Sequence, residues 1–224
     1  MRFSLSFVLF ALAVTSARAE ELPDILARMD KAAQKFHSFS AATHRTEFTA
    51  VLSETTEMNG FVRLRKSKGG TQGIVDFTEP DPRTYEFSGR TLKIFYPKAN
   101  TVEIYDAGKH ISTVDEIVLM GFGTSGADLR KNYQVKLAGS ETLNGVRVSR
   151  LELTPKGEEV RKLTTRIELW IPEGGSNPIQ EKFTQPSKDY SLVAFSDIKI
   201  NAPLPESDFS LKLPKDVKKI YPQK

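Results

Sequence analysis

Apolar residues recur at spacings of three and four through Leu22, Ile25, Leu26, Met29, Ala33 and Phe36. Side chains so spaced share one face, which predicts an amphipathic helix over residues 22–38. Pro23 fits the first turn, where its missing N–H is no loss. Asp24 suits the positive end of the helix dipole. Arg28, Lys31 and Lys35 fall on the other face, so the apolar stripe needs a sheet or a second helix to lie on. From Thr43 the period changes to two. Phe48, Ala50 and Leu52 alternate with polar neighbours, and Val62 and Leu64 lie between Phe61, Arg63 and Arg65. Residues 74–77 and 85–87 continue the pattern. Residues 91–96 and 101–105 read as strands joined at Pro97-Lys98-Ala99-Asn100, a hairpin. Residues 111–132 break the rhythm: Ile117, Val118, Leu119, Met120 and Phe122 are apolar, glycines follow, and residues 127–133 suit a short helix. Strands resume at 134–137, 146–153, 163–171, 179–184 and 190–200, with a last one at 209–213. Turns fall at 144–145, 155–158 and 173–178, and a proline-rich loop at 201–205. Short strands between turns predict antiparallel sheet, as a sandwich, a barrel or one curved sheet.

The N-terminus changes the picture of where this fold works. Residues 1–19 open with Arg2, run through an apolar stretch at 3–15 and end Ala17-Arg18-Ala19. This is the pattern of a secretory signal peptide, and the apolar stretch is too short to span a bilayer. Cleavage after Ala19 is expected, leaving an exported, soluble chain of residues 20–224 as a single domain. The chain has no cysteine, so neither an acylated cysteine anchor nor a disulfide is expected. Lys and Arg number 32 against 28 acids, and the signal carries Arg2 and Arg18 but no acid. The mature chain is therefore close to neutral, and no basic run interleaves with aromatics as a nucleic-acid face would.

Candidate chemistry is sparse. Gly121-Phe122-Gly123-Thr124-Ser125-Gly126 matches G-x-G-x-x-G, but the flanking pattern is antiparallel, whereas a dinucleotide site needs a strand–turn–helix–strand unit in a parallel sheet. These glycines are read as letting two short helical pieces fold closely over each other. His37, His44 and His110 form no metal-binding pair at i, i+4. No G-x-S-x-G elbow exists. Asp76, Glu86 and Glu103 alternate within strands, as a glycosidase pair would and as acids on an exposed strand face would. No metal, cofactor or catalytic residue is expected, and the chain is read as a binding protein. The bulky strand residues are compatible with an apolar pocket and with a filled core.

Several segments, in their order, resemble the LolA family of periplasmic lipoprotein carriers. They are Met29-Asp30-Lys31 with Phe36-His37-Ser38-Phe39-Ser40, and Gly60-Phe61-Val62-Arg63-Leu64-Arg65-Lys66. Ser88-Gly89-Arg90-Thr91-Leu92-Lys93-Ile94-Phe95-Tyr96-Pro97 is similar to the family's central hairpin, and Phe209-Ser210-Leu211-Lys212-Leu213-Pro214-Lys215 to its closing strand. The resemblance implies a mainly β fold with α, an unclosed antiparallel β-barrel covered by lid helices from residues 22–38 and about 112–131. It implies a periplasmic carrier that holds acyl chains in an apolar cavity and shuttles lipoproteins or other lipids from the inner to the outer membrane. Its partners would be an inner-membrane lipoprotein-releasing transporter and an outer-membrane acceptor, with the carrier a monomer. The same fold also serves a lipid-sensing envelope-stress regulator; an exported hydrolase is a further alternative. Phe48, Val62, Leu64, Phe77, Leu92, Ile94, Tyr96, Leu119, Phe122 and Phe195 are the expected lipid-lining residues. The family has Arg-Pro, with a lid-closing arginine, where this chain has Lys66-Ser67. Neighbours on a strand point to opposite faces, so Lys66 is expected inward with Val62 and Leu64, held by lid carbonyls, and Arg65 outward.

Overall fold

The computed structural model describes residues 20–68, 70–106 and 120–222. The signal segment, Leu119 and most of the expected second lid helix lie outside them. The elements are, in order, α1 (Leu22–Lys35), β1 (Ser38–Thr49), β2 (Glu54–Ser67), β3 (Gly70–Glu79), β4 (Arg83–Ser88), β5 (Thr91–Tyr96) and β6 (Thr101–Asp106). Then come α2 (Gly126–Asn132), β7 (Tyr133–Leu143), β8 (Val146–Pro155), α3 (Glu158–Leu163), β9 (Arg166–Pro172), β10 (Gln180–Thr184), β11 (Tyr190–Ile200) and β12 (Lys218–Ile220). The strands form one sheet in the order β12-β6-β5-β4-β3-β2-β1-β11-β10-β9-β8-β7. Every pairing among the described residues is antiparallel except β12 with β6. The two ends, β12 and β7, do not meet: this is the expected unclosed, curved antiparallel sheet with helices on it.

Helix α1 decides which face is inner. Its Ile25, Leu26 and Met29 are buried against Leu151 and Leu153 of β8 and Ile167, Leu169 and Ile171 of β9. Each such side chain contributes about 1.5–3 kcal/mol by leaving water. Helix α2 closes on the same core through Leu129, and Met120 joins it from the turn before. Asp30 of α1 ties the two helices by accepting a hydrogen bond from the Ala127 N–H at 2.9 Å. Ser125 caps α2, its hydroxyl accepting from the Asp128 N–H at 3.0 Å. Among the described residues, no helix is long and apolar enough to cross a membrane.

Several boundaries differ from expectation. Helix α1 stops at Lys35, and Phe36 is already extended, with ψ of 124°. Strand β1 begins at Ser38 rather than near Thr43, because Phe39 and Ala41 alternate with serine and alanine too small to signal a period. Residues 158–163 are a helix rather than the start of a strand. Glu158 and Glu159 in its first turn and Arg161 and Lys162 in its last complement the helix dipole. Residues 209–213 are not a strand: Glu206–Phe209 is a 3-10 turn. The Leu211 N–H donates to the Glu86 carboxylate at 2.6 Å instead of to a ladder. The segment straps the outer face, where Phe209 is buried and the Arg65 guanidinium lies 4.3 Å over its ring.

The glycines around Phe122 are packing glycines. A Cβ on Gly123 would meet the Phe36 ring at 2.3 Å, and Gly123 has φ of +76°. A Cβ on Gly126 would meet the Leu26 carbonyl oxygen at 2.4 Å. Gly123→Ala should therefore destabilise by about 1–3 kcal/mol, through both the strained φ and the collision. Gly157→Ala, where nothing lies within 4 Å of the added carbon, should stay within about 0.5 kcal/mol. Urea denaturation of both variants checks this; equal midpoints would contradict it.

Candidate functional site

Residues directly opposed in a ladder share a face, so register assigns every candidate. Val62 opposes Ala41 and Val75, and Leu64 opposes Phe39 and Gly73. These side chains face inward, together with Phe195, which opposes Thr43. Phe122 reaches them from the 120–123 turn. It stacks on Phe39 with ring centroids 3.8 Å apart and meets Phe195 edge-on at 5.1 Å. Phe36, leaving α1, completes the cluster. Val62, Leu64, Phe122 and Phe195 are thus brought together, but as a filled aromatic plug. Gly121 and Gly123, both at positive φ, flank Phe122.

Phe77, Leu92 and Ile94 also face inward, as their ladder partners Gly60, Phe87 and Tyr85 show. Tyr96 lies on the same face and donates to Glu103 at 3.4 Å, and Tyr105 donates to Glu103 at 2.8 Å. Burial, then the Glu103 charge, raises the Tyr96 hydroxyl above its ordinary pKa. For Tyr105 the hydrogen bond to Glu103 is the leading cause of the same direction. Phe48 is a correction. It opposes Tyr190 and stacks on it at 5.1 Å, on the outer face. Strand parity puts it opposite to Thr43 and Phe39, so it cannot line an inner cavity. Leu119 lies outside the described residues.

Lys66 and Arg65 separate by face. Lys66 shares the inner face, with its Nζ 5.6 Å from the centroid of Phe36 at the end of α1. It is exposed, contrary to the expected enclosure among apolar walls and carbonyls. At the end of β2 its four-carbon stem reaches water over the rim. Arg65, on the outer face, donates to Gln72 Oε1 from Nε at 2.8 Å and pairs with Glu206 of the strap. The three strand acids do not converge. Asp76 pairs with Arg63 at 3.4 Å and Glu86 with Lys93 at 2.6 Å on the outer face, while Glu103 is inside. Among the described residues, no group of three His, Cys, Asp or Glu is placed to hold a metal ion.

Beside the plug, the inner face holds a cavity of about 500 Å³ that none of the expected residues lines. One ladder row crosses it: Met58, Arg45, Val193, Glu181 and Leu169 oppose one another in turn. Phe183 and Ser191 lie in the next row, and Leu163 at the end of α3 and Thr164 after it complete the rim. Arg45 donates to the Ser191 hydroxyl at 2.9 Å, pairs with Glu47 at 2.5 Å and lies 5.6 Å over the Phe77 ring. Glu181 is 5% exposed, and its Oε1 has no hydrogen-bond partner among the described residues. A Cβ on Gly121 would sit 3.0 Å from that oxygen, so the 120–123 turn rests directly on the carboxyl group. The signal for Glu181 was in the chain: it shares strand parity with Phe183, one acid on an otherwise apolar face.

Burial pushes the Glu181 carboxyl well above its ordinary pKa. In the unfolded chain it would ionise at about 4.3. Between that value and the raised one the native state binds the extra proton. Stability from this group is therefore full below the unfolded value and is lost as pH rises through the folded one, by at most about 1.4 kcal/mol per pH unit. Glu181→Gln removes this slope. Urea midpoints of the variant should gain on those of the unsubstituted chain as pH rises through that window; parallel profiles would contradict the assignment.

No curated protein matches the chain. Solved structures do. An uncharacterized conserved protein from Thermus thermophilus superimposes with a TM-score of 0.55 at 14% identity, covering 89% of this chain and 98% of that one. The crystal structure of MucB gives 0.50 at 16% identity, with 88% of this chain matched to 64% of MucB. A LolA superfamily protein from Nitrosomonas europaea is also among the neighbours, with a TM-score of 0.41 at 19% identity over 86% and 99% of the two chains. At these identities the first two establish a shared fold. A family model described as "Predicted periplasmic protein (DUF2092)" matches residues 79–221, from the end of β3 to beyond β12, and the chain belongs to that family.

Proposed function

We propose that this protein is a periplasmic carrier that shields acyl chains on the inner face of its sheet and moves lipoproteins or other lipids between the two membranes. It acts by binding, without turnover. One observation carries the reading: the aromatic plug of Phe36 and Phe122 rests on strand residues beside a cavity, and Phe122 sits between two glycines at positive φ. Such a plug fills the apolar face when no lipid is bound and swings aside when one is. The family description supports the compartment.

The magnitudes suit carriage. Hiding an acyl chain from water yields about 0.8 kcal/mol per CH₂. Displacing the plug gives back part of it, since each aromatic pair is worth about 0.5–1.5 kcal/mol beyond its buried area. The net affinity is lowered enough for release to a partner. An inner-membrane transporter that loads the protein and an outer-membrane acceptor that unloads it are the partners such a cycle needs.

The delipidated protein should bind a fluorescent fatty-acyl probe that native lipid displaces, and should accelerate probe transfer between vesicles. Folded protein that binds no probe would sink the reading. Binding without transfer, together with a tight complex with another periplasmic protein, would turn it into a regulator. Lys66 touches the end of α1 and Arg65 holds the outer strap, so Lys66→Leu should change probe uptake or release by about threefold or more. Arg65→Leu should lower stability by about 1–2 kcal/mol with uptake unaltered. Equal effects of both substitutions on uptake would contradict the assignment of Lys66 to the lid.

A further inference from the structure

The cavity beside the plug has a polar end that acyl-chain shielding does not require. Glu181 is nine-tenths buried or more and forms part of its wall, and one of its carboxyl oxygens, enclosed beneath Gly121, has no hydrogen-bond partner among the described residues. Arg45 stands across Val193 from it in the same ladder row. Arg45 spends one N–H on Ser191 and another on Glu47, which leaves donors of the guanidinium fork for a ligand. Lys162, paired with Glu159 at 2.7 Å, also lines the cavity. The volume of about 500 Å³ falls in the range of small-ligand sites, about 300–1,000 Å³.

We propose that this cavity receives the headgroup of a carboxylate-bearing amphiphile, a free fatty acid being the simplest, with Arg45 and the Glu181 carboxyl group as its polar partners. The inference rests on the lipid-binding reading above and adds the headgroup to it. Three features select an anion. Arg45 and Lys162 are the cations that line the cavity among the described residues; each is paired with an acid, but the N–H groups that Arg45 has left can only donate, which suits a carboxylate and not an ammonium head. Glu181 is pressed under Gly121 and opposed by Val193 and Leu169, and this burial favours its protonated form. A protonated carboxyl donates a short, charge-assisted O–H···O bond to a carboxylate and leaves no like charge beside it. Phe183 and Val193 supply apolar contact for the first methylenes, and Leu163, 55% exposed at the rim, would be covered by the departing chain. Phe77, under the Arg45 guanidinium, starts the apolar inner face of β3 to β5 along which that chain can run.

The charged groups around Glu181 fix the pH dependence. Arg45 and Glu47 come from β1 and Lys162 and Glu159 from α3, while β9, β11 and the 120–123 turn present Leu169, Val193, Ser191 and Gly121. Ionisation of Glu181 would set a second negative charge against the ligand. Affinity for the acid therefore falls as pH rises through the Glu181 transition, although the ligand's own charge does not change.

Displacement titrations of the delipidated full chain with dodecanoate, its methyl ester and dodecylamine test this. They would run from about pH 6.5 to about pH 9, where the ligand carboxyl stays ionised. At the lower pH dodecanoate should bind about tenfold tighter than the ester, and the amine weakest, with the acid's advantage shrinking once pH passes the Glu181 transition. Glu181→Gln, which keeps a neutral donor, should retain the advantage and lose its pH dependence. Arg45→Met, with folding checked by circular dichroism, should reduce the advantage about tenfold or more. Acid and ester binding equally, the amine binding best, or an Arg45→Met variant that keeps the full advantage of the acid would overturn the headgroup assignment and leave the lipid cavity standing. Failure of all three ligands to bind would overturn the lipid-binding reading itself, and this inference with it.

Discussion

One geometric constraint governs this molecule: helix α1 has to cover the inner face of a sheet much wider than itself. The helix has 14 residues and so is about 21 Å long. The sheet has twelve strands among the described residues, which at about 4.8 Å per interval give an arc of about 50 Å. The helix settles over β8 and β9, where Leu151, Leu153, Ile167 and Leu169 form an aliphatic bed for Ile25, Leu26 and Met29. Beyond its last turn, among the described residues, the inner face is covered by the side chains of Phe36 and Phe122 instead of by regular structure. A core built in one half and plugged in the other can be stable and still have apolar surface to lend. Glycines at positive φ either side of Phe122 let the plug approach α1 and the sheet this closely.

The outer face is handled differently. There the strap from Glu206 to Leu211 is fastened by groups with fixed partners: Arg65 on Gln72, Glu206 and the Phe209 ring, and Glu86 on Lys93 and the Leu211 N–H. Apart from Glu206, which is exposed, these groups are half-buried or buried, and charge-assisted contacts among them are stronger than exposed ion pairs. Adjacent residues on β2 thereby serve opposite purposes. Arg65 uses its planar fork to hold a segment permanently in place. Lys66, a flexible point charge, touches the end of the helix across a ring face.

Much of this was legible in the chain because period-two alternation is strong where one face is buried. The hairpin of β5 and β6 and the long β11 follow from alternation, as does the sharing of one face by Val62 and Leu64 on β2 and by Leu92 and Ile94 on β5. It failed where side chains are small, at Ser38 to Ala42, and where extended chain looks apolar but finds its hydrogen bonds elsewhere, at Phe209 to Leu213. Phe48 was misplaced for another reason. It has the alternation of a lining residue, but parity along β1 sets it on the face of His44, and only pairing with β2 and β11 shows which face that is. Glu181 escaped notice because a lone acid in a strand has no motif. Its meaning comes from burial beneath Gly121, some sixty residues away in the chain.

The central claim is that the inner face of this sheet carries lipid in the cell. Mass spectrometry of solvent extracts from the protein, purified from the periplasm without detergent, tests it most directly. The account predicts acyl lipid at a defined stoichiometry near one per chain, reduced when Phe122 is replaced by Trp to wedge the plug in place. Protein that is folded, carries no acyl lipid above the level of an unrelated periplasmic control, and takes up none on exposure to vesicles would contradict it.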